Sequence, residues 1–125
     1  MTKRLFRIDI SGATALEFAL CAPAFFMLVM GIVELGLLVF MQLSLQQGVE
    51  AAARCASINK TTCSSTAQIK SYASAQSYGV TPPTSAFTVT TPACGNQVQA
   101  SYTPGFLPGF PIPTQTLTAQ ACFPS

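Results

Sequence analysis

The 125-residue chain has no histidine and no tryptophan, and few charges of either sign: six basic and four acidic side chains. Without histidine, Ser–His and Cys–His nucleophile pairs and His-bound zinc are excluded. Two of the carboxylates, Glu17 and Glu34, lie in an apolar stretch, which leaves no soluble acid pair for glycoside cleavage. This composition argues against an enzyme and calls for no cofactor. Charged residues make up 8% of the chain, about a third of the usual share for a soluble domain. From Ser71 to Ser125 there is no charged side chain at all. Phosphate binding needs clustered Lys or Arg, so nucleic acid is excluded as a partner.

What the chain does have is one long apolar run. Phe18–Met41 is interrupted only by Glu34. As a helix it would measure about 36 Å at ~1.5 Å per residue, enough to cross a hydrocarbon core of about 30 Å with some tilt. Residues 1–12 precede it as a basic leader, with Lys3, Arg4 and Arg7 against Asp9. By the positive-inside rule that leader stays in the cytoplasm and the C-terminal part is exported. A cleaved secretory signal fits less well, because the run far exceeds the ~7–15 residues of such a core and contains Glu34.

Pro23 predicts a kink near residues 19–23. Gly31 and Gly36 either let a second helix approach or are ordinary membrane-helix glycines. Helix formers continue past the apolar run, with Leu45, Val49, Ala52 and Ala56 at helical spacing and Gly48, Ala52 and Ala56 repeating a small residue every four positions. One helix over 13–58 is expected, with its transmembrane span at about 18–41, ended by Asn59-Lys60-Thr61-Thr62.

The exported domain, 59–125, reads as α+β. Ser65-Thr66-Ala67-Gln68 has the form of a capping box, Ile69, Tyr72, Ala73 and Gln76 share a face, and Gly79 suits a C-cap. Alternation at Phe87, Val89 and Thr91, at Val98, Ala100 and Tyr102, and at Leu117, Ala119 and Ala121 predicts a small antiparallel sheet of about three strands. The proline-glycine loop between the last two carries Phe106, Leu107, Phe110 and Ile112, either as a packing surface for other subunits or folded over the sheet.

Of five cysteines, Cys21 falls within the span and is expected to remain a buried free thiol. The other four lie where oxidation is expected and allow three connectivities. None has the close spacing of a metal knuckle. Setting Val98 against Thr118 places Ala100 on Thr116, Tyr102 on Thr114 and Cys94 opposite Cys122. That leaves Cys55–Cys63 to close the turn between the helices.

Gly12-Ala13-Thr14-Ala15-Leu16-Glu17-Phe18 resembles the prepilin-peptidase junction of type IV-like pilins in the tight-adherence (Tad/Flp) system. Ala22-Pro23 and Gly31-Ile32-Val33-Glu34-Leu35-Gly36 are similar to the TadE-like pseudopilin family, a likeness covering roughly residues 11–58. The resemblance implies cleavage after Gly12 by a membrane aspartyl prepilin peptidase, leaving Ala13 as the mature N-terminus and Glu17 as its fifth residue. Glu17 could then pair with an Ala13 amine in an apolar bundle, since a paired buried charge costs far less than an isolated one. Otherwise Glu17 is a carboxylate snorkelling to the interface. Glu34 could register against a partner helix in assembly or sit near the outer interface. The resemblance implies a minor pilin that initiates, caps or anchors a filament as a homo- or hetero-oligomer with other pilins and membrane lipid. It would sit in the bacterial inner membrane with a periplasmic C-terminal domain, or in an extracellular surface filament. The alternative is a permanent membrane-anchored component of the assembly machinery. A tethered enzyme has no supporting constellation of residues.

Overall fold

The structure, a computed structural model, describes residues 10–105 and 115–125. The leader cations Lys3, Arg4 and Arg7 and the loop residues Phe106, Leu107, Phe110 and Ile112 lie outside the described residues. The described chain is α+β: a long N-terminal helix, a short second helix and a three-stranded antiparallel sheet, with two disulfides.

Helix α1, Ile10–Ile58, starts three residues before the expected Ala13 and passes through Pro23 without a break in assignment. The chain divides into two units, Met1–Leu37 and Leu38–Ser125. The division between the units falls inside α1. The reason is that the C-terminal turns of α1 supply much of the domain core: Leu45, Val49, Ala52, Ala53 and Ala56 are all buried.

In the first unit the apolar side chains face outward. Leu16, Phe18, Leu20 and Phe25 are each more than half exposed. From Gly12 onward, α1 is the one helix among the described residues long and apolar enough to cross a membrane. Cys21 is a free thiol exposed on the helix surface, not buried by protein as a core residue would be. Any covering of it in a membrane comes from lipid or another chain.

In the second unit, α1 ends where Asn59 Oδ1 accepts from the Thr61 and Thr62 amides at 3.3 and 3.2 Å and from the Thr61 hydroxyl at 2.6 Å. Those bonds hold the chain in a turn that competes with continued helix. Lys60 Nζ donates to the Ala56 carbonyl at 2.8 Å, satisfying one of the acceptors a helix C-terminus leaves open. Helix α2, Thr66–Gln76, begins with the capping box complete: Ser65 Oγ accepts from Gln68 N, and Gln68 Oε1 accepts from Ser65 N. Its C-cap is Ser77; Gly79, expected there, instead turns the chain two residues later at φ +74°. A 3-10 turn at Thr84–Ala86 then leads into the sheet.

Strands β1 (Phe87–Thr90), β2 (Asn96–Tyr102) and β3 (Leu117–Phe123) lie in the order β1-β2-β3. Thr91 falls outside β1. Phe87 pairs with Ala100, and Val89 with Val98. The β2–β3 register differs from the expected one: Val98 pairs with Ala121, Ala100 with Ala119 and Tyr102 with Leu117. The expected register set these apolar residues against threonines. A shift by an odd number of residues exchanges the faces of a strand, and only the observed parity puts both apolar sets on the side facing the helices. Phe87, Val98, Ala100, Leu117 and Ala119 form the sheet's share of the core, packed with Ile69 and Ala73 of α2 and the α1 residues named above.

Candidate functional site: the start of the long helix and the second unit

The residues expected to form a processing junction lie at the beginning of α1. Gly12, Ala13, Glu17 and Phe18 are all exposed, and a Cβ at Gly12 would meet no neighbouring atom within 4 Å. Because α1 starts at Ile10, the Gly12–Ala13 bond sits in its first turn. The amides of a first turn have no intrahelical acceptor, so this is where a helix is least held. Ala13 and Glu17 stand one turn apart on the same helix face. A charged amine at Ala13 would therefore lie within reach of the Glu17 carboxylate, or the carboxylate could take the amine of a neighbour.

Glu34 behaves differently from the residues around it. Ile32, Val33 and Leu35 are exposed, whereas Glu34 is 5% exposed and its Oε2 has no hydrogen-bond partner. A buried acceptor without a donor costs about 1–3 kcal/mol, and more when charged. Glu17 and Glu34 thus occupy opposite environments on one helix, one open and one enclosed.

The second unit is closed by two disulfides. Cys55–Cys63 joins the last turn of α1 to the segment before α2, with Cα atoms 5.9 Å apart. Cys94–Cys122 joins the turn before β2 to β3, at 6.3 Å. Cys122 lies opposite Gln97 in the ladder, so Cys94 reaches it from outside the strand. The turn at 92–95 makes this possible: Gly95 adopts φ +119° and its amide donates to the Pro92 carbonyl at 3.0 Å. A Cβ at Gly95 would also collide with the Phe123 carbonyl oxygen.

Three contacts absent from the sequence reading attach α1 to the outer edge of β3. Gln42 and Gln46 donate from Nε2 to the carbonyls of Thr118 and Gln120, at 2.8 and 3.4 Å. The Ser57 hydroxyl, which accepts from Asn96 Nδ2, lies 3.4 Å from the Phe123 carbonyl. These side chains cover carbonyls that a sheet edge otherwise offers to another strand. Their only sequence signal is that Gln42 and Gln46 recur one helical turn apart beside the apolar Leu45 and Val49. Gly48 was visible as a small residue, but its role depends on the fold. A Cβ there would meet Ser77 Oγ and, at 2.7 Å, the Ala73 carbonyl, so glycine sets how closely α1 and α2 approach.

Two grooves open on this unit. One of about 530 Å³ is lined chiefly by neutral polar side chains, including Gln46, Thr88, Gln99 and Gln120. The other, about 430 Å³, is lined by Gln47, Glu50, Ala51, Arg54, Gln76, Tyr78 and Phe123.

Among the described residues, one exposed apolar helix fits a membrane-anchored, pilin-like chain and runs into a small disulfide-closed α+β unit. The model of the family described as TadE-like protein matches residues 12–54, about a third of the chain. Over that segment, which runs from Gly12 to Arg54, the chain is similar to that family. No curated protein and no solved structure matches the chain.

Proposed function

We propose that this chain is a pilin-like structural subunit associated with a Tad-type pilus, cut after Gly12 by a prepilin peptidase and assembled through its N-terminal helix. Gly12, Ala13, Glu17 and Phe18 are the processing junction, and Glu17 is the principal assembly residue. The observation that carries this reading is the exposed Ala13–Glu17 pair in the opening turns of α1, inside the segment that matches the TadE-like family. Cleavage creates an amine one helical turn from a carboxylate. In an apolar bundle such a pair is retained because each charge removes the cost of burying the other. The basic leader supports a cytoplasmic N-terminus, and the disulfides suit an oxidising compartment on the far side of the membrane.

Mass spectrometry of the N-terminus in protein taken from cells tests the processing step. A chain beginning at Ala13 is expected, and an intact Met1 would sink the proposal. Shearing surface filaments from the same cells tests the assembly step: the chain should accompany the filaments, and retention of all of it in the membrane would point to a fixed component of the machinery.

A further inference from the structure

Four contacts fix how the second unit is set along α1. The Phe40 ring stands where a Cβ on Gly79 would be. Gln42 holds the Thr118 carbonyl, Gln46 holds that of Gln120, and Ser57 lies beside Phe123 at the other end. Strand β3 therefore advances two residues for every four of α1, since both steps cover about 6–7 Å. One step back from Gln42 and Thr118 brings Thr116 level with Leu38. Tyr102, the last residue of β2 and the ladder partner of Leu117, then lies close to the level of Phe40. Leu38–Met41 is also where the apolar run ends. In a bilayer this end of the unit stands at the headgroups.

Its chemistry suits that place. The charged residues of the unit are Glu50, Arg54, Lys60 and Lys70. Glu50 is about 12 Å beyond Gln42 along the helix. Lys70 is about two turns from the Ser77 end of α2, the end that leads to Gly79. The near end carries none of them. It carries Phe40, half exposed, and Tyr102, partly exposed, whose hydroxyl makes no hydrogen bond among the described residues. An aromatic body with a polar tip is favoured where hydrocarbon meets water. Beside them the exposed hydroxyls of Thr103 and Thr116 lie 3.1 Å apart. The sequence joining those two threonines adds Phe106, Leu107, Phe110 and Ile112, and no charge.

We propose that this uncharged end of the second unit, with Phe40, Tyr102, Thr103 and Thr116 at its rim, rests in the headgroup layer of the bilayer that α1 crosses. The chain then meets lipid at the end of its sheet as well as along its helix. This lipid contact rests on the reading of α1 as a membrane anchor.

The chain has no tryptophan, so single substitutions report their own surroundings. Full-length chains carrying Phe26→Trp, Tyr102→Trp or Phe123→Trp, each aromatic for aromatic, are placed one per disc in phosphatidylcholine nanodiscs. One set of lipids bears bromine near the headgroup, the other deep in the acyl chains. Deep bromine should quench Phe26→Trp, and shallow bromine should quench Tyr102→Trp. Phe123→Trp should keep its emission in both, because Ser57 beside it is about 22 Å beyond Gln42 along α1. Thr116→Trp, at an exposed position, repeats the measurement should Tyr102→Trp disturb the core.

Loss of emission from neither Tyr102→Trp nor Thr116→Trp, beside a quenched Phe26→Trp, would overturn the lipid contact alone. An unquenched Phe26→Trp would overturn the anchor reading and this contact with it. Equal quenching of Phe123→Trp and Tyr102→Trp would lay the unit on its side. Quenching of Tyr102→Trp that disappears when several copies share a bilayer would give this end to a neighbouring chain. Either result overturns the proposal.

Discussion

The side-chain amide of Gln42 donates to the backbone carbonyl of Thr118 at 2.8 Å, joining the long helix to the outer strand across 76 residues of sequence. With Gln46 on the Gln120 carbonyl, it makes the helix act as the covering of a sheet edge. The second unit is therefore not a domain hung from a helix. Residues 38–58 of that helix are part of it.

Gln42→Ala should leave the Thr118 carbonyl to water and cost about 0.5–1.5 kcal/mol. The opened edge should also favour association. Denaturant unfolding of the full chain in detergent, with light scattering, checks both, and an unchanged midpoint would show that the bond contributes nothing.

Gly48→Ala sets two effects against each other. Alanine improves helix propensity by about 1 kcal/mol. The new methyl would meet the Ala73 carbonyl, a backbone atom that cannot swing aside, and overpacking of this kind costs about 1–3 kcal/mol. A net loss of stability is expected, and the α1–α2 spacing should widen in a spin-label distance measurement.

Phe87, which opens the edge strand β1, is completely buried on the sheet's inner face. Phe87→Ala should cost about 3–5 kcal/mol, most of the stability that a domain of this size commands. Rapid proteolysis of the second unit, with the apolar part of α1 left intact in detergent, is the expected result.

The two disulfides should differ in worth. Cys94–Cys122 closes the longer loop, with a separation of 28 against 8. On the chain-entropy model these loops stabilise by about 3.5 and about 2.5 kcal/mol. The pair of substitutions Cys94→Ser and Cys122→Ser should therefore lower the unfolding midpoint further than Cys55→Ser with Cys63→Ser.

Glu17→Ala should leave cleavage after Gly12 largely intact while greatly reducing recovery of the chain in assembled filaments. Immunoblotting separates the two, because the processed and unprocessed chains differ by the leader. Normal assembly of the variant would remove the amine-pairing argument.

Much of this was legible in local sequence. The apolar run from Phe18, the Ser65–Gln68 capping box and the alternation at Phe87, Val98 and Leu117 each depend on residues a few positions apart, where helix and strand periodicities act directly. The TadE-like segment is local in the same sense, a continuous stretch of one helix. Strand pairing depends on distant residues. Alternation alone required an odd shift from the expected register, but the choice of Ala121 as the partner of Val98 came with the seating of α1 on β3 and with the turn that carries Cys94 around Gly95. Glu17 and Glu34 make the contrast plainest. By sequence they are two acids in one apolar helix, yet the tertiary structure leaves the first open and encloses the second. Periodicity tells which residues share a face of a helix; only the folded chain determines what covers that face.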